Sequence, residues 1–445
     1  MNKIKILFLI GLFSCALRFD LNAQEYSLNF KIKTTSTSNK FPSIYANKDW
    51  DTAPVIDLIS TSNMGKTLES GKKKGWSIFM QPNGAWGWNI GDGKSRLDYL
   101  PSKKQRINDG DWHEIGISFF LDKKTAWLYF DKKHVAIYSL SDLKLNKEII
   151  ASIGLVSENS KFKIKKGEFE RIDQSVFYKG EKPEKFTVMS WNIWHGARHN
   201  GVELGIQQAI EAMETSGADL ICMQETYGSG PAISDALGTL FYYRSSNLSV
   251  HSKYPIVDTY PLYESFRFGG VQVKMGEQLL DVFSLWIHYL PDVSKFYPVE
   301  TVEKFLEEEN KTRGKEIKDI LGSLYEAGIT GKDRPLIIGG DFNSASHLDW
   351  GENMKTFHHN YVIEWPVSKS MAKEGFKDSF REMAPIPYNS LGLTWSPRFH
   401  DSLQERIDYI YYKGAVKCVN SYVKGYTDSE WPSDHAAVVA VYRFK

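Results

Sequence analysis

The hydrophobic pattern divides the chain into two stretches of different character. Residues 25–178 carry short apolar or aromatic runs of strand length, separated by clusters of Gly, Asn, Asp and Lys. Runs of this length and spacing predict an all-β sandwich. The clearest of these runs are Tyr26–Ile32, Trp76–Met80, Trp86–Ile90, His113–Phe119, Ala126–Phe130 and His134–Tyr138.

From residue 186 onwards, apolar strands alternate with amphipathic helices. Val202–Thr215 predicts a helix because its apolar residues recur three or four positions apart, and Ser294–Tyr325 carries a similar pattern with Thr301 as a capping candidate. This alternation predicts an α/β or α+β domain over residues 186–445. Residues 179–185 are charged, contain Gly and Pro and lack an apolar period, so we assign them as a linker.

The first residues have the pattern of an export signal. Lys3 and Lys5 precede an apolar stretch too short to span a membrane, and Ala23 offers a small residue before a cleavage site. We therefore expect residues 1–23 to be a signal peptide and the mature protein to be periplasmic or extracellular, without a transmembrane segment. Lipoprotein processing at Cys15 is the alternative.

Length and charge narrow the class of protein. A chain of 445 residues exceeds one ordinary core, so two domains are expected. Residues 181–445 hold 27 Lys and Arg against 35 Asp and Glu, a formal charge of −8, which leaves +9 in residues 1–180. Because proteins that follow a DNA backbone need a basic surface, this acidic half argues against a processive DNA binder.

Polar side chains follow or precede the apolar strands of the second stretch. The most informative segment is Ile337–Ser344, in which two glycines and then Asp341 and Asn343 follow an apolar run. Residues two apart in extended chain point to the same side, so these two side chains are expected to face one site. An anionic and an amide oxygen suit a hard cation and a phosphate group. The other strand-end residues are Asn192, Glu225, His288, Asp408, Asp434 and His435.

The order of these motifs resembles the endonuclease/exonuclease/phosphatase superfamily, which has a DNase I-like fold. The motifs are Trp-Asn-Ile, Gln-Glu, a single His, Gly-Asp-Phe-Asn, Arg-Ile-Asp-Tyr and Ser-Asp-His, and they span about residues 183–445. The resemblance implies a four-layer α/β sandwich and a metal-dependent phosphoric ester hydrolase. One departure is the sequence Trp-Ile-His-Tyr around His288, where many members have Asn-Thr-His-Leu.

The resemblance also implies a role for each candidate residue. His435 would be the base, oriented by Asp408, while Asp341 would position or deprotonate the water. Asn343 would contact the phosphate, and His288 would bind the phosphate or donate a proton to the leaving group. The metal ligands it implies are Asn192, Glu225 and Asp434, holding Mg²⁺, with Mn²⁺ as the alternative ion.

Residues 25–178 resemble laminin-G and concanavalin A-like jelly rolls. The resemblance rests on an Asp-Gly-x-Trp-His turn ending at His113 and on a hairpin in which Lys132 replaces the usual glycine. Such domains bind carbohydrates or other surface ligands, and a spacer that packs on the enzyme is the alternative. Trp76, Trp86 and Trp88 are either a sugar platform or core residues.

Together these patterns predict an exported Mg²⁺-dependent phosphoesterase acting on a phosphodiester or phosphomonoester. The alternatives are a DNA or RNA endonuclease, a sphingomyelinase-like lipid phosphodiesterase, and an adhesion or carbohydrate-binding protein with an inactive catalytic domain. The presence of all eight candidate site residues argues against the last of these. We expect a monomer, and we expect a chain that begins near Pro183 to keep its turnover of small substrates.

Overall fold

A computed structural model describes residues 18–19, 25–54, 73–156, 161–167, 172–292, 295, 298–329, 331 and 333–445. The predicted cleavage site after Ala23 and the alternative processing site at Cys15 lie outside these residues. Among the described helices, none is long and apolar enough to cross a membrane.

The N-terminal half consists mostly of strands. They are β1 (Arg18–Phe19), β2 (Glu25–Lys33), β3 (Ser43–Asn47), β4 (Lys74–Met80), β5 (Trp86–Asp92), β6 (Arg96–Tyr99), β7 (His113–Phe120), β8 (Thr125–Phe130), β9 (Lys133–Ser139), β10 (Ile153–Leu155) and β11 (Lys163–Lys166), with one helix, α1 (Lys147–Ala151). All six predicted runs are strands. The order β10-β3-β4-β5-β6 forms one sheet, and β1-β2-β7-β8-β9 belongs to a second, in which β11 also pairs with β2.

These two sheets bury a common apolar core. In β2 every second side chain points inwards, so that Tyr26, Leu28, Phe30 and Ile32 face residues of the other sheet. Trp76, Trp86 and Trp88 are fully buried in this core, which confirms the core interpretation and excludes a surface sugar platform made of these three residues. The architecture is compatible with a β-sandwich, and its jelly-roll connectivity stays a prediction.

The C-terminal half alternates strands and helices as the sequence pattern predicts. Its strands are β12 (Phe186–Asn192), β13 (Leu220–Gln224), β14 (Leu240–Tyr243), β15 (Ser249–Ser252), β16 (Ile256–Tyr260), β17 (Phe268–Met275), β18 (Gln278–Trp286), β19 (Leu336–Asp341), β20 (Lys377–Asp378), β21 (Asp408–Lys413), β22 (Val416–Lys424) and β23 (Ala437–Phe444). Its helices are α2 (Trp194–Ala197), α3 (Val202–Ser216), α4 (Gly230–Leu237), α5 (Pro298–Lys311), α6 (Arg313–Glu326), α7 (Pro366–Lys373) and α8 (Ser379–Met383). Thr301 lies inside α5, so its predicted role as a cap is wrong.

These elements stack in four layers. The sheet order β14-β15-β13-β12-β23-β22 faces the order β16-β17-β18-β19-β21-β20 across an apolar core. Helices α3 and α4 cover the outer face of the first sheet, and α6 and α7 cover that of the second. This is the four-layer α/β sandwich that the family resemblance implies.

The two glycines of the Ile337–Ser344 segment lie within β19 and not at its exit, which corrects the interpretation made from the sequence. A Cβ on Gly339 would lie 2.9 Å from the Cβ of Cys222 in the facing sheet, and one on Gly340 would lie 2.4 Å from the carbonyl oxygen of Leu285. The glycines therefore allow the neighbouring layers and strands to approach closely.

The two halves share one continuous sheet. Strand β9 pairs in parallel with β14, so that the order runs β1-β2-β7-β8-β9-β14-β15-β13-β12-β23-β22. Ile137 of β9 packs in the core of the C-terminal half, and Phe241 of β14 packs in the core of the N-terminal half. Although residues 179–185 form no strand or helix, as predicted for a linker, the halves are joined by backbone hydrogen bonds and by reciprocal packing.

Candidate active site

The strand-end residues meet at one edge of the four-layer sandwich. Strand β19 runs antiparallel to β21 with Asp341 opposite Asp408. In the facing sheet, β12 runs parallel to β13 with Asn192 opposite Gln224, so Glu225 follows directly. The loop before β23, which is antiparallel to β12, brings Asp434 and His435 to the same edge.

A buried histidine–carboxylate pair forms the centre of the site. His435 Nδ1 lies 2.9 Å from Asp408 Oδ2, and neither residue is more than 5% exposed. The other ring nitrogen, Nε2, lies 3.9 Å from Asp341 Oδ2 and 3.9 Å from Asp434 Oδ1. Burial alone would lower the pKa of His435, but the surrounding carboxylates, Asp408 foremost, raise it well above its ordinary value. The imidazole is therefore held in its cationic form.

Asn192 links the two sheets across this edge. Its side-chain amide donates to Glu225 Oε1 and to Asp341 Oδ2, each at 3.2 Å. Its Oδ1 accepts the backbone N–H of Trp194 at 3.0 Å. The residue thus fixes the separation of two carboxylates that come from different sheets.

Asn343 binds Asp341 itself. Its backbone N–H donates to Asp341 Oδ1 at 2.9 Å, and its amide donates to Asp341 Oδ2 at 3.1 Å and to the carbonyl of Ile287 at 2.9 Å. Burial, reinforced by Asp408 and opposed by His435, raises the pKa of Asp341 to about 7. Both side chains lie at one site, as expected, but the amide of Asn343 is directed at the carboxylate.

Glu225 occupies a turn with a positive φ of 55°. Its N–H donates to Asn247 Oδ1 at 2.9 Å, and its Oε2 accepts the backbone N–H of His195 at 2.9 Å. The His195 Nε2 lies 3.3 Å from the same oxygen. Burial raises the pKa of the Glu225 carboxyl, while His435 and Asn192 oppose the shift.

The set of oxygen atoms fits a hard cation. Burial raises the pKa of Asp434 to about 8, and its Oδ1 is buried without a hydrogen-bond partner. The side chains of Asp341, Asp408 and His435 can bring ligand atoms within 4.8 Å of one another, although Asp408 and His435 already bind each other. A cation would offset the repulsion among these carboxylates and would satisfy the orphaned Asp434 oxygen.

His288 lies beside this cluster with its hydrogen bonds directed elsewhere. Its backbone N–H donates to Glu316 Oε2 at 2.8 Å, and its Nδ1 accepts the N–H of Leu290 at 2.9 Å. Among the described residues, its side chain makes no hydrogen bond to the other seven candidates. Its role therefore stays a prediction.

Aromatic side chains surround the carboxylates and line a cleft of about 350 Å³. One of them, Trp395, contacts the ring of His435 with a centroid distance of 5.0 Å. The sequence interpretation missed Trp194, Tyr227, Trp286 and Tyr289, which also line the cleft. Trp194 directly follows the Trp-Asn-Ile motif, and Trp286 and Tyr289 flank His288, so proximity to these motifs was the available signal.

Comparison with known proteins agrees with this arrangement of motifs. The sequence profile of the Endonuclease/Exonuclease/phosphatase family matches residues 189–435, more than half of the chain. The chain belongs to this family. An uncharacterized protein of Caenorhabditis elegans, F14F9.5, is 28% identical over 291 residues, which cover 58% of this chain and 91% of that protein.

Solved structures to which this chain is similar include truncated TDP2 of C. elegans and an AP endonuclease of Archaeoglobus fulgidus. TDP2 is 17% identical and covers 59% of this chain and 98% of its own, with a TM-score of 0.40. The AP endonuclease is 18% identical and covers 57% and 98%, with a TM-score of 0.42. At these values nothing about the activity of this chain follows from the likenesses. Family membership, however, agrees with a DNase I-like C-terminal half, and members of the family hydrolyse phosphoester bonds.

Two arginines, Arg198 and Arg313, bind groups of the protein itself. Arg198 is buried and bonds to the carbonyl of Tyr227. Arg313 forms a fully buried ion pair with Glu309 at 3.2 Å. We therefore leave both residues out of the candidate site.

Proposed function

We propose that this protein is an exported, Mg²⁺-dependent phosphoesterase that hydrolyses a phosphodiester. The observation that carries the proposal is the His435–Asp408 pair, whose other ring nitrogen, Nε2, lies 3.9 Å from both Asp341 and Asp434 at one sandwich edge. A cationic imidazole among buried carboxylates supplies both positive charge and proton-accepting oxygens at one place.

Glu225 and Asp434 would hold the cation, with Asn192 fixing the position of Glu225. Glu225 and Asp434 are two of the three ligands predicted from the sequence, and the orphaned Asp434 oxygen supports this choice. The third, Asn192, directs its amide at Glu225 and its oxygen at the N–H of Trp194, so we give it a positioning role. Bound there, Mg²⁺ would neutralise charge on the phosphoryl oxygens and on the leaving oxygen.

The charges of the site without a bound cation change the roles in proton transfer that the family resemblance implies for His435 and Asp341. A histidine held cationic by Asp408 cannot accept a proton readily, whereas a carboxyl with a pKa of about 7 is well matched to a general base at neutral pH. We therefore assign Asp341 as the base. It takes a proton from the attacking water while the oxygen of that water forms the new bond to phosphorus. His435 would donate a hydrogen bond to a phosphoryl oxygen, and the bond from phosphorus to the leaving oxygen would break.

Asp408 acts through His435, and Asn343 acts through Asp341. Asp408 would keep the His435 ring oriented and charged through its 2.9 Å contact with Nδ1. Asn343, which donates to both oxygens of Asp341, would fix the direction of that carboxylate.

The N-terminal half is assigned a supporting role in this proposal. It extends the first sheet of the catalytic half through β9, and its three candidate platform tryptophans are buried. This favours the spacer alternative over a carbohydrate module, and we retain the expectation of a monomer.

A substrate panel tests the proposed function. It should contain plasmid DNA, RNA, sphingomyelin, phosphoinositides and bis(4-nitrophenyl) phosphate, each with Mg²⁺ and with excess EDTA. We expect turnover of at least one phosphoester that Mg²⁺ supports and EDTA abolishes. Restoration by zinc alone would contradict the oxygen-ligand site.

A further inference from the structure

The cleft above the carboxylates has aromatic walls. Trp194, Tyr227, Trp286, Tyr289 and Trp395 all line it, while Glu225, Asp341, Asn343, Asp434 and His435 face it from the catalytic edge. The charged groups at the catalytic edge would contact the phosphate of a substrate, and the rings on the walls would contact the remainder of the substrate.

The walls are held rigidly by their surroundings. Trp194 stacks on His199 with a centroid distance of 3.2 Å and meets the edge of Phe399 at 5.8 Å. Trp286 lies between the edge of Phe266, at 5.6 Å, and the guanidinium of Arg267, at 4.9 Å. Rings whose positions are fixed in this way are suited to stacking, because little side-chain entropy remains to be lost on binding.

Positive charge is scarce around the cleft. Of the described residues that line it, none is Lys or Arg. The nearby Arg398 donates to the carbonyl of Trp431 at 2.8 and 3.1 Å, and Lys295 pairs with Asp292 at 3.2 Å. Proteins that hold a nucleic acid backbone place many of their hydrogen bonds on successive phosphates, whereas His435 is the one cationic group among the described lining residues, and Arg267 and Arg398 lie against the rings of Trp286 and Trp194.

The size of the cleft sets a further limit. A volume of about 350 Å³ lies at the lower end of the range for small-molecule sites, roughly 300 to 1,000 Å³. This volume is sufficient for a phosphate and one ring system.

We propose that the cleft selects phosphoesters with a single phosphate whose esterified group carries a flat ring held against Trp194 and Tyr289. This inference rests on the proposed function and assigns its substrate class. The flat ring could belong to an aryl ester or to a nucleoside, and both present the same π face to the walls.

Binding of phosphonates to the full-length mature protein with Mg²⁺, measured by calorimetry, tests the inference without turnover. Phenylphosphonate, cyclohexylphosphonate and methylphosphonate share one charged head and differ only in the group attached to it. We expect phenylphosphonate to bind on the order of tenfold more tightly than methylphosphonate, with cyclohexylphosphonate weaker than phenylphosphonate because it cannot stack.

Variants identify the rings that cause the preference for phenylphosphonate. Tyr289 is 52% exposed, so Tyr289→Ala should remain folded and should lose most of the preference for phenylphosphonate, whereas Tyr289→Phe keeps the ring and the preference. Trp194→Ala should lose the preference as well. Trp112→Ala is the matched control, because Trp112 is 41% exposed and lies in the N-terminal half, outside the lining of the cleft.

Several outcomes would overturn the inference. Equal binding of phenyl- and cyclohexylphosphonate would show an apolar wall without stacking, as for a lipid. A preference that survives both alanine variants would place the ring elsewhere. Tighter, steeply salt-dependent binding of a short oligothymidylate would show a nucleic acid backbone site. A separate nucleoside 5′-monophosphate titration distinguishes the two flat-ring sources, and failure of Mg²⁺-dependent turnover alone would count against the proposed function only.

Discussion

At the scale of single residues, the pair of Asp408 and His435 sets the charge of the site. Asp408→Asn should lower kcat because an amide orients the imidazole less well and does not stabilise its cation. We expect a loss smaller than that caused by His435→Ala, which should cost the ~10²–10³-fold that one preorganised hydrogen-bond donor to the transition state contributes. Steady-state kinetics beside the exposed control Asp401→Asn checks this, and full activity of Asp408→Asn would disprove the pairing.

The buried carboxyls also predict how stability depends on pH without metal. Burial raises the pKa of Asp434 to about 8, whereas an unfolded Asp titrates near ~4. The folded protein therefore binds more protons than the unfolded chain in this window, and this residue's contribution to stability decreases as the pH rises from about 4 to about 8.

Replacing Asp434 with Asn should remove the pH-dependent contribution of this carboxyl to stability. In EDTA, the Tm of Asp434→Asn should exceed the Tm of the wild type by an amount that grows between about pH 5 and about pH 8. Thermal unfolding followed by circular dichroism measures the difference, in which titratable groups distant from residue 434 cancel. A difference that shrinks as the pH rises would contradict the raised pKa.

At the scale of elements, α2 is a short turn with left-handed backbone geometry. Trp194, His195, Gly196 and Ala197 all have a positive φ, between 49° and 72°. Left-handed helical geometry costs roughly 1–2 kcal/mol per non-glycine residue, so other contacts must hold it. The backbone N–H groups of His195 and Gly196 bind Glu225, and α3 packs directly on the turn.

Gly205 of α3 is where this packing is tightest. A Cβ there would lie 1.9 Å from the carbonyl oxygen of Ala197, so Gly205→Ala should destabilise the protein by ~1–3 kcal/mol and lower its activity by displacing α2. Gly322→Ala, on the open side of α6, is the matched control and should stabilise by about 1 kcal/mol. Denaturant unfolding measures both, and unchanged stability of Gly205→Ala would show that α2 is not clamped by α3.

These elements show which features the sequence could predict. Periodic apolar runs located the strands and Val202–Ser216 to within a few residues, and short polar motifs located the site residues. The conformation of α2 was not predictable, because local preferences of Trp, His and Ala oppose it and only distant contacts impose it. The orientation of Asn343 towards Asp341 likewise depends on a turn, with a φ of 50° at Asn343.

At the scale of the whole molecule, the shared sheet changes the expectation for the isolated catalytic half. A chain of residues 183–445 would lose β9 from the edge of β14, and Asp235 would lose its hydrogen bond of 2.9 Å from Gln105. The sequence suggested a separable domain because pairing between distant strands leaves no local pattern. An exposed apolar edge instead predicts lower stability and self-association.

Size-exclusion chromatography and thermal unfolding test this expectation. The truncated chain 183–445 should unfold at a lower temperature than the chain 25–445 and should associate, with reduced turnover per molecule. The chain 25–445 is the control, since it lacks only the N-terminal residues that include the predicted signal. A monomeric 183–445 with unchanged Tm and turnover would show that the N-terminal half is a separable module.

The most direct test of the whole account is the hydrolysis of bis(4-nitrophenyl) phosphate by the wild type and by His435→Ala, each with Mg²⁺ and with excess EDTA. We expect Mg²⁺-dependent turnover by the wild type and a rate lower by ~10²–10³-fold in the variant, which lacks the hydrogen-bond donor to the phosphoryl oxygen, with unchanged circular dichroism. Turnover that survives EDTA, or a loss below roughly tenfold in the folded variant, would contradict the metal-dependent site centred on His435.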